Sequence, residues 1–220
     1  PHTFGIEGAH ITHICCTGYA DRDEAEKIAK ASNIPNVVED PLAMIGQVDA
    51  VICATDAGDE HVQRCKPFLD AGIPMFIDKP LVNREEDLRW FLNKRKNGAH
   101  FLSSSSMRYC KEMEPFYRSH YELGDLVYIC QPMPKKYETY GIHALEAVYP
   151  LLGPGFLSVQ NTGTYEQTSV HLEHQSGCRV DIAQNLHMAG AGTLIIGTKG
   201  TRYIDDGDSY YAFKKQLDLF

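Results

Sequence analysis

The chain has 220 residues, 43% apolar and 23% charged, with a formal net charge of -8. This is an ordinary globular composition, long enough for one large domain or two small ones. The negative balance, offset by no Lys/Arg run or basic amphipathic stretch, argues against nucleic acid and anionic membrane as partners, and no apolar run is long enough to cross a bilayer.

The N-terminus, PHTFGIEGAH, has no basic-then-apolar signal pattern. The seven cysteines, Cys15, Cys16, Cys53, Cys65, Cys110, Cys130 and Cys178, are odd in number and scattered, with no C-x-x-C pair. They read as reduced, mostly buried thiols of a cytoplasmic protein.

In chain order, the apolar, β-branched run ITHICC (11–16) predicts a strand, and DRDEAEKIAKA (21–31) a helix with Ala25, Ile28 and Ala29 on one face. VDAVICAT (48–55) is continuously apolar, as a parallel strand buried on both faces should be. EHVQRCKPFLDAG (60–72) predicts a helix stopped by Gly72, with Pro67 as a potential kink. IPMFID (73–78) is the next strand. REEDLRWFLNKRKNG (84–98) is a helix, acidic at its start, basic at its end and closed by Gly98. HFLSSSSM (100–107) reads as a further strand.

This alternation predicts a doubly wound parallel α/β sheet over residues 1–105. Beyond it, 106–220 reads as α+β: helices over 112–124 and 141–153, a strand in DLVYICQPM, and two hairpins. The hairpins turn at Gln175-Ser176-Gly177 and Lys199-Gly200, so an open antiparallel sheet is expected.

Ligands of doubly wound sheets bind at the carboxyl ends of the strands. Those ends are Gly18–Asp23, Thr55–His61 and Asp78–Pro80. At the last, Lys79 precedes proline and is held extended. It is either a solvated strand end or a lysine aimed into a crevice, where it can act as acid or base. Asp21 either contacts a ribose and repels a 2′-phosphate or caps the helix that follows, and Arg22 beside it weakens the first reading. Thr55, Asp56 and His61 either line the crevice or serve loop and cap chemistry.

The stretch from Asp49 to Leu81 resembles the glucose–fructose oxidoreductase / inositol dehydrogenase family (Gfo/Idh/MocA). The resemblance is carried by Asp49-Ala50-Val51, Ala54-Thr55, His61, Ala71-Gly72 and Asp78-Lys79-Pro80-Leu81, with Asp78 in place of the usual Glu. It continues through Met107-Arg108-Tyr109 to Pro115, Gly141-Ile142-His143 and Gly197–Thr201.

The resemblance implies a Rossmann-like dinucleotide-binding domain, then a substrate and oligomerisation domain. It implies hydride transfer between NAD or NADP and a sugar-like or cyclitol substrate, and a homo-oligomer. By the same resemblance Lys79 contacts cofactor and substrate, and its peptide to the proline is often cis. Asp21, Arg22, Thr55, Asp56, His61 and Asp78 fall to the cofactor, and His143 becomes the proton-transfer residue. His143 is expected in the first turn of its helix, where the dipole favours a neutral ring. Lys136 and Tyr140, in the run 135–140, form either a substrate-facing edge or a solvated loop. Arg108 is expected to pair with an acid.

Departures accompany the match. The family's Asp four residues before the histidine is Thr139 here, flanked by Glu138 and Tyr140. No G-x-G-x-x-G occurs, and Gly5–Gly8 lacks its spacing. The sequence therefore reads as part of a longer chain, whose first strand and glycine-rich turn lie upstream of Pro1. The alternative function is a non-catalytic dinucleotide- or sugar-sensing regulator on the same fold. No metal site is expected: His171 and His174 lie on opposite faces of a strand, and there is no H-E-x-x-H.

Overall fold

The structure, a computed structural model, describes residues 6–16, 21–190, 192–205 and 207–220. Gly5 and Gly18–Ala20, named above, lie outside these. The chain divides into two compact units, Pro1–Ser103 with Phe220, and Ser104–Leu219.

The first unit alternates strands and helices: β1 (His13–Cys15), α1 (Arg22–Ser32), β2 (Asn36–Val38), β3 (Val51–Cys53), α2 (His61–Asp70), β4 (Met75–Ile77), α3 (Glu85–Lys96) and β5 (Phe101–Leu102). All its strand pairs are parallel. Among the described residues they form two sheets, β1-β2 and β3-β4-β5, rather than one continuous sheet. No described strand joins β1 to β3. Met44, Cys65, Phe68, Leu69, Met75, Ile77 and Phe91 form the core of this unit.

Helix ends follow local chemistry. The Asp21 carboxylate accepts from the Glu24 N–H at 2.8 Å and caps α1. At the other end Asn33 takes the left-handed conformation. In α3, Glu85, Glu86 and Asp87 occupy the first turn and Lys94, Arg95 and Lys96 the last, matching the helix dipole. Pro67 sits inside α2, which runs unbroken through it.

Two expectations shorten here. The strand predicted over 100–107 is only Phe101–Leu102, because Ser105 Oγ accepts from the Met107 N–H at 3.0 Å and starts a 3₁₀ turn over Ser106–Tyr109. The helix predicted over 112–124 is only α4 (Glu114–Arg118), since the backbone becomes extended at Ser119.

The second unit continues with β6 (Leu126–Pro134), α5 (Tyr137–Leu152), β7 (Phe156–Asn161), β8 (Gln167–His174), β9 (Arg179–Asn185), β10 (Gly192–Gly197), β11 (Thr201–Asp205) and α6 (Ser209–Asp218). Six strands form one sheet in the order β11-β10-β6-β9-β8-β7. Both predicted hairpins are present, β8-β9 and β10-β11. The sheet is mixed rather than antiparallel, because β6 and β9 pair in parallel with Ile129 opposite Val180. Such a pair needs a long crossover, and α5 begins it. Residues of β6, β8 and β9 largely alternate between buried and partly or fully exposed. The buried row, including Ile129, Val170, Val180 and Ile182, packs with Ala144 and Val148 of α5.

α5 starts at Tyr137, four residues before the predicted start at Gly141. Gly141 is an interior residue whose missing side chain makes room for a ring: a Cβ there would lie 2.9 Å from the Tyr137 ring. The shift moves His143 from the first turn into the second, where the dipole effect on a side chain has faded. Within the 135–140 run, Lys135 and Lys136 are exposed in the connection between β6 and α5. Lys136 is the N-cap residue of α5, and Tyr137–Tyr140 are helical.

Candidate functional site

Each unit carries its own group of candidate residues. In the first, the ladder between β3 and β4 extends one residue past the strands: the Asp78 N–H donates to the Cys53 carbonyl at 2.9 Å. Lys79 is the first residue beyond it. Its side chain is 13% exposed, with Nζ 3.6 Å from the Asp78 carboxylate. The Lys79–Pro80 peptide is cis. On the other side of the corner, Ser103 Oγ donates to the Asp78 carbonyl at 3.4 Å.

The loop after β3 is fastened to this corner. His61, the first residue of α2, is fully buried, with Nδ1 2.8 Å from the Leu81 carbonyl and Nε2 2.8 Å from the Thr55 carbonyl. The ring thus joins the segment after β3 to the segment after β4. Gly58 permits the approach. A Cβ on it would sit 3.0 Å from the Val82 carbonyl carbon and 3.1 Å from the Pro80 carbonyl oxygen. Both ring nitrogens of His61 face main-chain carbonyls, and the ring has no exposed surface.

Thr55 is half-buried and Asp56 exposed just past β3. With Lys79 they supply a hydroxyl, a carboxylate and an ammonium at the carboxyl ends of two paired parallel strands. That donor set fits the nicotinamide-ribose half of a dinucleotide. The pyrophosphate half, which backbone amides of a glycine-rich turn hold in such folds, has no counterpart among the described residues. Asp21 is occupied as the cap of α1, and Arg22 is paired with Glu26 at 2.8 Å and with Glu39. These two ion pairs hold the Arg22 guanidinium above its ordinary range, the Glu26 hydrogen bond foremost.

The second group surrounds His143. Nδ1 lies 2.6 Å from Ser105 Oγ, whose other partner is the Met107 N–H. The hydroxyl therefore keeps both a proton and a lone pair to offer the ring. It can donate to an unprotonated Nδ1 or accept from a protonated one. The Tyr140 ring packs against the imidazole with centroids 4.8 Å apart. Lys135 Nζ lies 4.1 Å from the Tyr140 ring centroid and donates to its hydroxyl. Tyr140 thus belongs with His143. Lys136 does not, because its ammonium turns toward the Tyr165 ring, 5.7 Å from the centroid.

Glu138 lies exposed in the first turn of α5, and Nδ1 of the imidazole faces the neutral Ser105 hydroxyl. Sequence reasoning missed Ser105, although a serine two residues before Met107-Arg108-Tyr109 is a recognisable cap. Arg108 pairs with Glu146 of the same unit, donating from Nε and the terminal nitrogen, and its guanidinium lies 5.2 Å from the Tyr149 ring centroid. Among the described residues no group of three or more His, Cys, Asp or Glu side chains forms a metal site, and no described helix is long and apolar enough to cross a membrane.

Residues 7–103 match the family profile GFO_IDH_MocA, described as an oxidoreductase family with an NAD-binding Rossmann fold. No curated protein sequence matches the chain. Among solved structures, myo-inositol 2-dehydrogenase from Lactobacillus plantarum superposes with a TM-score of 0.83 at 12% identity, over 97% of this chain and 80% of that one. An oxidoreductase from Agrobacterium radiobacter, solved with NAD+, L-tartaric acid and magnesium, gives 0.78 at 16% identity, over 92% and 68%. The apo scyllo-inositol dehydrogenase from Lactobacillus casei gives 0.76 at 19%, over 91% and 67%. At such identities the likeness is one of fold.

Proposed function

We propose, for a chain whose residues 7–103 match the model of an oxidoreductase family with an NAD-binding Rossmann fold, that its reaction is hydride transfer to or from a hydroxyl-bearing carbon of a sugar-like or cyclitol substrate. The observation that carries this reading is Lys79, a nearly buried lysine held beside Asp78 at the carboxyl end of β4. The dinucleotide, when bound, supplies the hydride chemistry. Thr55, Asp56 and Lys79 hold its nicotinamide-ribose half. Lys79 takes the orienting and polarising role and His143 the proton transfer, as the family resemblance implies.

Ser105 is a positioning residue in this scheme. Its hydroxyl serves either protonation state of Nδ1, so it fixes the ring while Nε2 exchanges the proton. Self-association and a cytoplasmic location belong to the same reading. The second rests on the seven scattered cysteines, odd in number and without a C-x-x-C pair.

The test is consumption of NADH and NADPH against a panel of keto-sugars and oxidised cyclitols. Turnover with at least one is expected; binding of nucleotide without turnover of any would contradict the proposal. Ser105→Ala should lower kcat by about tenfold, as one orienting hydrogen bond of about 1–1.5 kcal/mol implies, with KM little changed. Ser105→Thr, which keeps the hydroxyl, should recover most of the rate. An equal loss in both variants would mark a packing defect instead.

A further inference from the structure

The second unit holds a cation that the proposed reaction leaves unused. Lys135 follows the last residue of β6 and precedes Lys136, the N-cap of α5. Its backbone is left-handed, with φ 68°. Asn33, the other described non-glycine residue with positive φ, closes α1 as its C-cap, and asparagine enters this region readily. Lys135 closes no helix, and a glycine would make the same turn with less strain.

What a lysine adds at this turn is an ammonium in a fixed place. Nζ donates to the Tyr140 hydroxyl and lies 4.1 Å from the centroid of that ring. The same ring packs on the His143 imidazole. Lys135 is therefore one side chain removed from the proton-transfer residue of the proposed reaction. An ammonium carries three N–H donors, and the Tyr140 hydroxyl engages one of them. Among the described residues no carboxylate lies within ion-pair distance of Lys135. Of the other cations in this part of the chain, Arg108 is paired with Glu146 and Lys136 turns toward Tyr165.

We propose that Lys135 reads a carboxylate on the substrate, which is then a sugar acid, an aldonate or a uronate, rather than its neutral counterpart. The inference rests on the hydride-transfer reading above and narrows its substrate. A single ammonium suits the single charge of a carboxylate. A phosphate ester, close to doubly charged, would call for a second cation, and Lys136 is turned away. Lys135 is a specificity residue in this scheme: it holds the charged end of the substrate and takes no part in moving the proton.

The experiment is steady-state kinetics with NAD+ and NADP+ on aldonates and uronates, each beside its neutral counterpart, such as gluconate beside glucitol and glucuronate beside glucose. Glucose 6-phosphate serves as the phosphate arm. Wild type should favour the acid by about tenfold or more in kcat/KM. Lys135→Gly removes the ammonium and relieves the left-handed strain, so it should melt no lower than wild type. It should raise KM for the acid by about tenfold with kcat little changed, and leave the neutral counterpart unaffected. Lys135→Arg, which keeps the cation, should retain most of the preference. Preference for the neutral compound or the phosphate ester, or an equal loss on acid and neutral substrates in Lys135→Gly, would overturn this inference and leave hydride transfer standing. Bound nucleotide with no turnover of any compound would overturn both.

Discussion

His143→Ala is expected to lower kcat on an identified polyol or keto-sugar by about 10²–10⁴-fold, the range for removing a positioned acid–base group. The surrounding structure should survive the change. Ser105 Oγ keeps its bond from the Met107 N–H, and α5 keeps its buried row of Ala144, Ala147, Val148 and Leu151. Alanine is also a good helix former, so stability should change little. The loss therefore falls on chemistry. Glu138 stands on the exposed first turn of the helix, and Tyr140 is engaged by Lys135. Steady-state kinetics with a thermal melt as control makes the measurement. A change below about tenfold would assign the proton transfer to another group.

His61→Ala should destabilise the first unit by about 2–4 kcal/mol. The estimate combines loss of a fully buried ring with loss of a hydrogen bond to one of the two carbonyls that its nitrogens face. The Thr55 and Leu81 carbonyls would be left facing a cavity. Because that ring joins the segment after β3 to the segment after β4, the effect should extend beyond stability. Thr55, Asp56 and Lys79 would lose their fixed spacing, and nucleotide affinity should fall with them. Denaturant unfolding of the variant beside wild type reads the first effect, through a lower midpoint at unchanged slope. His61→Gln, which can still donate to one of the carbonyls, should fall between the two. An unchanged midpoint in His61→Ala would show that the loop is held by other contacts, such as the Gly58 approach.

How far these features were legible in the sequence depended on how local their causes are. α3 was readable nearly to its ends, because three acids, three bases and Gly98 all act within one helix. Lys79 was readable as the place where an apolar run meets Asp78 and Pro80. The start of α5 was misplaced because glycine normally marks a helix boundary, whereas Gly141 answers to the Tyr137 ring. β2 and β7 were not predicted. β2 is only three residues long, and β7 is a largely exposed edge strand, so neither shows a clear burial pattern. The parallel β6–β9 pair joins strands separated by α5, β7 and β8, and no short-range pattern encodes it. The expectation that the cysteines are mostly buried was too simple, since only Cys65, Cys110 and Cys178 are. Within the candidate site, the Ser105–His143 partnership spans 38 positions. His61 was visible as a helix start but not as a buried ring between two loops.

The central claim is that Lys79 stands in a dinucleotide site. It is tested most directly by calorimetric titration of the protein with NAD+, NADH, NADP+ and NADPH in turn, for wild type and Lys79→Ala. At least one of the four should bind wild type, and Lys79→Ala should weaken that binding by about tenfold, as loss of a charge-assisted hydrogen bond of about 1.5 kcal/mol implies. Folded protein that binds none of them, or binding unaltered by Lys79→Ala, would contradict the account and leave Asp78-Lys79-Pro80 an ordinary strand end.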